Sequence, residues 1–376
     1  MSVVIKKVTS RRELKDFIDF PESLYRDCKY YVPQLIFDQV NTLSPDRNPA
    51  SEFCDSSLFL AYKDGVLAGR VAAIVNKKAN EQWNHKEVRF GWFDFADDRA
   101  VSEALIDEVE KFGRQRGMDK IVGPLGFTDF DPEGMLVDGF DSPSTMALNY
   151  NYPYYRIHME SLGFSKDIDW IVKRLEFPGE LPERITRLSK IVEERTGVHE
   201  AEMKRKDMAR PEFCREIFNL INECYKDLYD FTVLPPSMAE KYMGFYLNFA
   251  DPEYLSFLKN EKGELVAFGI TMPSIIHVLQ KTRGRLFPFG WIPLLWNIFV
   301  KHGKGVEMLL VGVRPDYQNT GINSLLFSRL IGKFMGKGIK WAETNAILEY
   351  NTKNLSQFRD YALIYERRRR VYAKSL

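Results

Sequence analysis

Cysteine is scarce in this chain of 376 residues, and the four present carry no pattern. Cys28, Cys54, Cys214 and Cys224 have neither CxxC nor metal-ligand spacing, and a chain of this length needs no disulfide framework to build a core. Buried thiols in a reducing, cytoplasmic compartment are the expectation. Histidine is scarce as well, five residues with no HxxxH pair, so no metal site is expected. Net charge is nearly absent. Lys+Arg 53 against Asp+Glu 52 leaves +1, which gives no bulk field for nucleic acid or an anionic membrane. Any anion site must therefore be local. The N-terminal residues lack the apolar core of a secretory leader, reaching Ser10-Arg11-Arg12-Glu13 early. The longest apolar run, residues 286–300, is broken by Pro288 and Pro293 and falls short of the ~20 residues that cross a bilayer, so a soluble protein without a membrane span is expected.

What the chain does have is apolar content, 45% of residues, and a length above the usual single domain, so two domains with sizeable cores are expected. One stretch organises the rest. The apolar, β-branched run 308–313 reads as a strand closed by Pro315, and Ile322, Leu325, Leu326, Leu330, Ile331 and Phe334 mark one face of a helix just after it. Between them Gln318, Asn319, Thr320, Gly321, Ile322 and Asn323 would present unpaired backbone N–H groups at a helix N-terminus, where the macrodipole favours an anion. That is a candidate pyrophosphate cradle.

Val313-x-Pro315 followed by Gln318-x-x-Gly321-x resembles the acyl-coenzyme A motif of the GCN5-related N-acetyltransferase superfamily. Asn323 departs from it, standing where that motif has a final Gly or Ala. The order that follows also fits the resemblance: a helix, Gly338, a strand over 339–345, and Asn351 heading a further helix. The resemblance implies acetyl-CoA or another acyl-CoA as cofactor, lined by Leu310, Val311, Val313, the six cradle residues, Asn345 and Asn351. It also implies a catalytic base on the strand before the cradle. Glu307 is that candidate, with Glu343 and Glu349 as runners-up. The thiolate donor is commonly a tyrosine seven residues after the asparagine, a position held here by Phe358; Tyr361, one helical turn on, is the substitute expected.

Reading the chain in order gives a strand over 3–8, a capping box at Ser10 and Glu13, and an irregular, proline-bearing stretch over 32–51. A hairpin through Asp64-Gly65, a strand over 89–95, a helix over 101–116, a strand over 120–122, a helix over 154–162 and a strand over 168–177 follow. Pro178-Gly179 and Pro182 then break the chain before a charged helix over 183–196. The same order recurs. Phe59-Leu60-x4-Gly65-x-Leu67 matches Phe257-Leu258-x4-Gly263-x-Leu265, and Gly117-Met118-Asp119-Lys120 matches Gly338-Ile339-Lys340-Trp341, which argues for an internal duplication. The expected fold is α/β (α+β): two tandem acetyltransferase-type domains, 1–178 and 200–376, joined by 179–199. Each has a mixed, mostly antiparallel, splayed sheet flanked by helices.

Gly69-Arg70-Val71-Ala72-Ala73, Gly134-Met135-Leu136-Val137 and Asn151-Tyr152-Pro153-Tyr154-Tyr155, with Glu343-Thr344-Asn345 in the second half, resemble a poorly characterised family of bacterial tandem acetyltransferase-like proteins. The function implied is an acyl-CoA-dependent N-acyltransferase, most simply an N-acetyltransferase, acting on a small-molecule or peptide amine, with no nucleic-acid partner expected. The rivals are a non-catalytic acyl-CoA-binding or scaffold protein, and an aminoacyl- or long-chain acyl-transferase of tandem type. In the first half Ala96-Asp97-Asp98-Arg99-Ala100 stands at the cradle position without its glycine, so one coenzyme per chain is expected. Residues 286–300 either wall an apolar acceptor pocket or pack on the first domain. Residues 367–370 read as a solvated strand edge, and Tyr152, Tyr154 and Tyr155 as cleft lining or aromatic core.

Overall fold

The computed structural model describes residues 2–177, 180–181, 183–208, 210–236, 238, 251–301, 303–359 and 361–376. The breaks expected at Pro178-Gly179 and Pro182 lie outside these residues. The first half opens with β1 (Val3–Lys7) and α1 (Arg11–Leu24). The capping box is present: Ser10 Oγ accepts the Glu13 N–H at 3.2 Å and the Glu13 carboxylate accepts the Ser10 N–H at 2.9 Å. The stretch 32–51, expected to be irregular, contains α2 (Ile36–Leu43). Its prolines, Pro33, Pro45 and Pro49, flank this helix instead of interrupting it, so Ile36, Val40 and Leu43 can pack into the core. The hairpin of β2 (Cys54–Lys63) and β3 (Val66–Asn76) turns through Asp64 and Gly65 at φ 51° and 82°. Next come α3 (Lys77–Trp83), β4 (Glu87–Phe95), α4 (Arg99–Arg114), β5 (Lys120–Gly123), β6 (Met135–Asp138), α5 (Tyr154–Ser161) and β7 (Ser165–Glu176).

The second half runs α6 (Glu183–Thr196), β8 (His199–Glu200), α7 (Arg205–Met208), α8 (Pro211–Tyr225), β9 (Leu255–Lys259) and β10 (Leu265–Pro273). It continues with α9 (Ile276–Thr282), α10 (Trp291–Trp296), β11 (Gly305–Val313), α11 (Ile322–Gly336), β12 (Trp341–Glu343), β13 (Ile347–Leu348), α12 (Thr352–Ser356) and β14 (Ala362–Ser375). The expected mixed sheet flanked by helices is observed. Among the described residues no helix is long and apolar enough to cross a membrane.

One continuous sheet holds both halves, in the order β1-β2-β3-β4-β5-β14-β7-β12-β11-β10-β9-β8. The β4–β5 and β11–β12 pairs are parallel and the others antiparallel, so the architecture repeats about its middle. At that middle the halves exchange strands: β14, the last in sequence, lies between β5 and β7, while β7 pairs on its other side with β12. Arg367 and Arg369 on β14 are each only 2% exposed, which corrects the expected solvated edge. Burying a guanidinium is costly unless its donors find partners. Arg367 Nη1 donates to the Pro143 carbonyl and Nη2 pairs with Glu343, while its Nε has no hydrogen-bond partner among the described residues. Arg369 donates to the carbonyls of Glu133, Gly134 and Asn149 at 2.8, 2.5 and 2.6 Å, tying the first half's loops to the last strand.

The three largest core clusters show how the halves pack. One cluster packs β2, β3 and β4 against α4 and α5, and includes Tyr155 at 1% exposure, so of the two readings of Tyr155 the core one applies. Another packs β10 and β11 against α6 and α11. A third is shared, bringing Phe17 of α1 and Leu60 and Ile74 of the first half's sheet together with Ile217 and Phe218 of α8 and Phe268 of β10. Shared core and shared sheet make the halves one folding unit. A chain ending at residue 361 lacks β14, leaves β5 and β7 with open edges and removes Val371 and Tyr372 from the interior. Calorimetry of that truncated chain is expected to show no cooperative transition in either half. A retained first-half transition would mean that β14 is dispensable to it.

Candidate functional site

Strands β11 and β12 pair only over Gly305↔Trp341, Val306↔Ala342 and Glu307↔Glu343, and then diverge. β12 stops at Glu343, whereas β11 runs on for six residues, about 20 Å at strand rise, with a register shift against β10 near Leu309. Leu309, Leu310 and Val311 are only half-buried there. Side chains, not a strand, serve the open edge of β11. Asn345 Nδ2 donates to the Leu309 carbonyl at 2.9 Å, and Gln318 Nε2 to the Val313 carbonyl at 3.3 Å. Between them the Tyr225 hydroxyl donates to the Val311 carbonyl at 3.0 Å and accepts the Val311 N–H at 3.1 Å.

At the far end of this slot the chain turns through Asn319 and Gly321, at φ 63° and 94°, into α11. No side chain caps that helix, and the backbone bonds to the Gly321 carbonyl come from Ser324 and Leu325. The helix N-terminus with its macrodipole therefore has no side-chain cap competing for an anion. Two exposed cations flank it: Arg195 of α6 donates to the Thr320 carbonyl, and Lys353 Nζ approaches Asn319 Oδ1 at 3.3 Å. Gly321 has a further role. A Cβ there would stand 2.6 Å from Val192 Cγ2 on α6, so both its φ and its packing require glycine.

At the near end, where the strands part, lies Glu307, 2% exposed. Its carboxylate accepts the Ser274 hydroxyl at 2.9 Å and the Met146 N–H at 3.4 Å. Burial pushes this carboxyl above its ordinary range, outweighing Ser274, Met146, Arg174 and Arg367, which pull it down. The runners-up are placed differently. Glu343 is paired with Arg174 at 2.6 Å and with Arg367, and accepts the Tyr365 hydroxyl at 2.7 Å. Glu349 pairs with Lys166 at 2.7 Å near the surface. Of the three, Glu307 alone is held by a hydroxyl and an amide without a direct ion pair among the described residues.

These wall residues come from distant parts of the chain: Met146 from a first-half loop, Arg174 from β7, Tyr365 and Arg367 from β14. The Pro143 carbonyl accepts Arg367 Nη1 at 2.6 Å, which holds the loop in place. None of them carries a local sequence signal. Tyr225 had one, because Tyr25-Arg26-Asp27 after α1 repeats as Tyr225-Lys226-Asp227 after α8.

The chain matches no protein-family profile. It is 29% identical over 385 residues to a protein named YghO from Escherichia coli strain K12, covering 99% of this chain and 95% of that one. It is 27% identical over 317 residues to a bacterial ceramide synthase from Caulobacter vibrioides strain NA1000/CB15N, covering 83% and 81%. Among solved structures, a tandem GCN5-related N-acetyltransferase protein from the clavulanic acid biosynthesis pathway superposes at a TM-score of 0.58 with 11% identity, over 100% of this chain and 98% of that one. The fold is that of a tandem GCN5-related N-acetyltransferase.

The two acetyltransferase-type halves treat the same divergence oppositely. In the first half β4 and β5 pair over Glu87↔Lys120, Val88↔Ile121 and Arg89↔Val122, so Arg89 holds the position of Glu307. It is ion-paired with Asp230 at 2.8 Å. The edge of β4 is filled: the Tyr155 hydroxyl accepts the Phe95 N–H at 3.1 Å and the Tyr154 hydroxyl donates to the Phe95 carbonyl at 2.5 Å. Asp98 caps α4, accepting the Ala100 N–H at 2.9 Å, and pairs with Lys63.

Other expected site residues are engaged or displaced. Asn351 caps α12 by accepting the Asn354 N–H at 3.2 Å. That helix ends at Ser356, so Tyr361 does not sit one helical turn beyond Phe358; it lies half-buried at the foot of β14. Phe358 is buried edge-on to Phe327, with ring centroids 5.6 Å apart. The strand expected over 339–345 is shorter, covering only Trp341–Glu343.

Because burial raises the folded-state pKa of Glu307 above the unfolded one, stability is full below the unfolded pKa and falls as pH rises through the folded pKa. Glu307→Gln removes that loss. The variant is expected to melt higher than the parent above neutral pH and close to it near pH ~3, below the unfolded pKa, where the carboxyl is protonated in both states. Melting curves across pH that stay parallel would show that Glu307 is not titrating in the fold.

Proposed function

We propose that the second half, residues 200–376, binds an acyl-CoA along β11 and transfers its acyl group to an amine. The observation that carries this reading is Glu307, a buried carboxylate of raised pKa without a direct cation partner among the described residues, at the closed end of a slot whose other end is an uncapped, cation-flanked helix N-terminus. The residues present fit the coenzyme. The amides of 319–323 with Arg195 and Lys353 would hold its phosphates, and Leu310, Val311 and Val313 would line its arm. Tyr225 occupies both backbone groups of Val311, so binding there exchanges that hydroxyl for an amide of the arm.

Bound acyl-CoA supplies the acyl group as a thioester. Glu307 takes a proton from the acceptor amine, directly or through one water, as the N–C bond forms and the C–S bond breaks; its raised pKa makes it a stronger base than an ordinary carboxylate. Tyr225, whose hydroxyl burial keeps protonated, is the donor we assign to the leaving thiolate in place of Tyr361. Glu343, held by two guanidiniums, fixes the strand ends. The first half binds no second coenzyme on this reading. Asp98 already accepts the Ala100 amide of the helix and tyrosine hydroxyls fill the strand edge. A long-chain amine is the acceptor class to try first, since one relative is named a ceramide synthase.

Thiol release from acyl-CoA with a panel of amines tests the activity, and Glu307→Gln is expected to slow it on the order of a hundredfold where the parent carboxyl is ionised, with the gap narrowing as pH falls and that carboxyl is protonated. Coenzyme binding without release would instead favour a binding protein. Titration calorimetry on the full chain should give one acyl-CoA per chain. The cradle has its own test. Asn323→Glu places a carboxylate in the first turn of α11, where the dipole stabilises it, so folding is expected to hold while acyl-CoA affinity falls about tenfold or more. Gly321→Glu is the poorer probe, because Val192 leaves no room for its Cβ. Unchanged affinity in Asn323→Glu would place the phosphates elsewhere.

A further inference from the structure

The apolar segment between α9 and β11 is divided by the fold into two faces. Leu294, Ile298 and Phe299 turn inward and pack with Val32, Leu35 and Met146 of the first half and with Met272 of β10. The other face is bare. Phe287 is 75% exposed, Phe289 71%, Trp296 59%, Val300 54%, Ile292 47% and Trp291 44%. Ile292, Trp296 and Val300 recur every four residues along α10 and its continuation, so they form one stripe. The turn carrying Phe287 and Phe289 folds against the start of that helix, through the Trp291 N–H to the Leu286 carbonyl at 2.9 Å and the Trp291 indole N–H to the Pro288 carbonyl at 3.0 Å. A patch of six large apolar side chains concentrated in one surface segment marks a place where something docks.

The charge around the patch says what kind. Between Glu264 and Glu307 the sequence has no acidic residue, while Lys281, Arg283, Arg285, Lys301 and Lys304 fall within that span. Arg283 and Arg285 are paired with Glu22 and Asp19 of α1, whereas Lys281, Lys301 and Lys304 are exposed at the borders of the patch. A second copy of this surface would bring like charges together. A bilayer with anionic headgroups offers the opposite charge and an apolar interior, and tryptophan and phenylalanine suit its interface.

We infer that residues 287–300 are a membrane-surface docking face that inserts its aromatic and aliphatic side chains shallowly into an anionic lipid leaflet without crossing it. The face also lies over Met146 and Met272, the neighbours of Glu307, so docking brings the buried carboxylate close to the lipid. The inference rests on exposure and charge, and stands whether or not Glu307 acts as a base.

The test is co-sedimentation of the full chain with vesicles of phosphatidylcholine alone and of phosphatidylcholine mixed with phosphatidylglycerol. Binding is expected to the mixed vesicles, weakened by salt. The triple variant Phe287→Ser, Phe289→Ser and Trp296→Ser removes only side chains that are more than half exposed. It should therefore keep the parent's thermal midpoint while its vesicle partition falls about tenfold or more. Lys301→Glu with Lys304→Glu should remove the preference for the anionic vesicles. Absence of binding to either vesicle, or a triple variant that binds as the parent does, would overturn the inference. So would a concentration-dependent dimer, seen by sedimentation, that the triple variant abolishes in a chain that ignores vesicles.

Discussion

The antiparallel ladder between β7 and β14, running from Ala362↔Glu176 to Ala373↔Ser165, is the constraint on which the rest of the molecule depends. Each of these strands is bordered on its far side by a strand of the opposite half, so neither half completes its sheet from its own sequence. This exchange explains how four arginines in succession can be tolerated mid-sheet. Arg368 and Arg370 reach across the ladder to Asp169, while Arg367 and Arg369 point the other way into carbonyls and a carboxylate of the protein interior. Through these partners the buried guanidiniums fix which loops meet which strand.

The same ladder builds the candidate site. Arg174 arrives on β7 and Tyr365 and Arg367 on β14, all three around Glu343 at the closed end of the slot, with Glu307 on the neighbouring strand. The first-half loop held through Pro143 brings the Met146 amide to Glu307. A carboxylate left in such surroundings with a hydroxyl and one amide for company is less stable than one in an ion pair, and that instability is what gives it basicity. The first half shows the opposite resolution at the same position, where Arg89 is neutralised by Asp230 and the strand edge is closed by tyrosines. One architecture thus serves as structure on one side and as an open slot on the other.

Local patterns were legible because local physics fixes them. The Ser10 capping box, the Asp64-Gly65 hairpin, the strand-turn-helix around Gly321 and the aspartate cap of α4 each depend on residues a few positions apart. The mixed, flanked sheet and its repetition followed from their order. Proline positions and alternating polarity do not suffice where the partners lie far along the chain: the prolines around α2 bound a helix, and the arginines of β14 are interior because of their partners, not their pattern.

The sequence by itself determined that the chain would make two similar α/β units, that Glu307 and the 318–323 turn would share one strand-turn-helix, and that the first half would lack the open cradle. Only the tertiary structure decided that the last strand joins the first half and that Arg174, Arg367, Tyr365 and Met146 converge near Glu307. It also decided that Tyr225 meets Val311, and that half of the segment 286–300 stays bare. The physical reason is separation along the chain. Contacts within a turn are set by backbone geometry and the residues beside it, whereas a strand exchange across the sheet is set by the free energy of completing two sheet edges and burying one shared core.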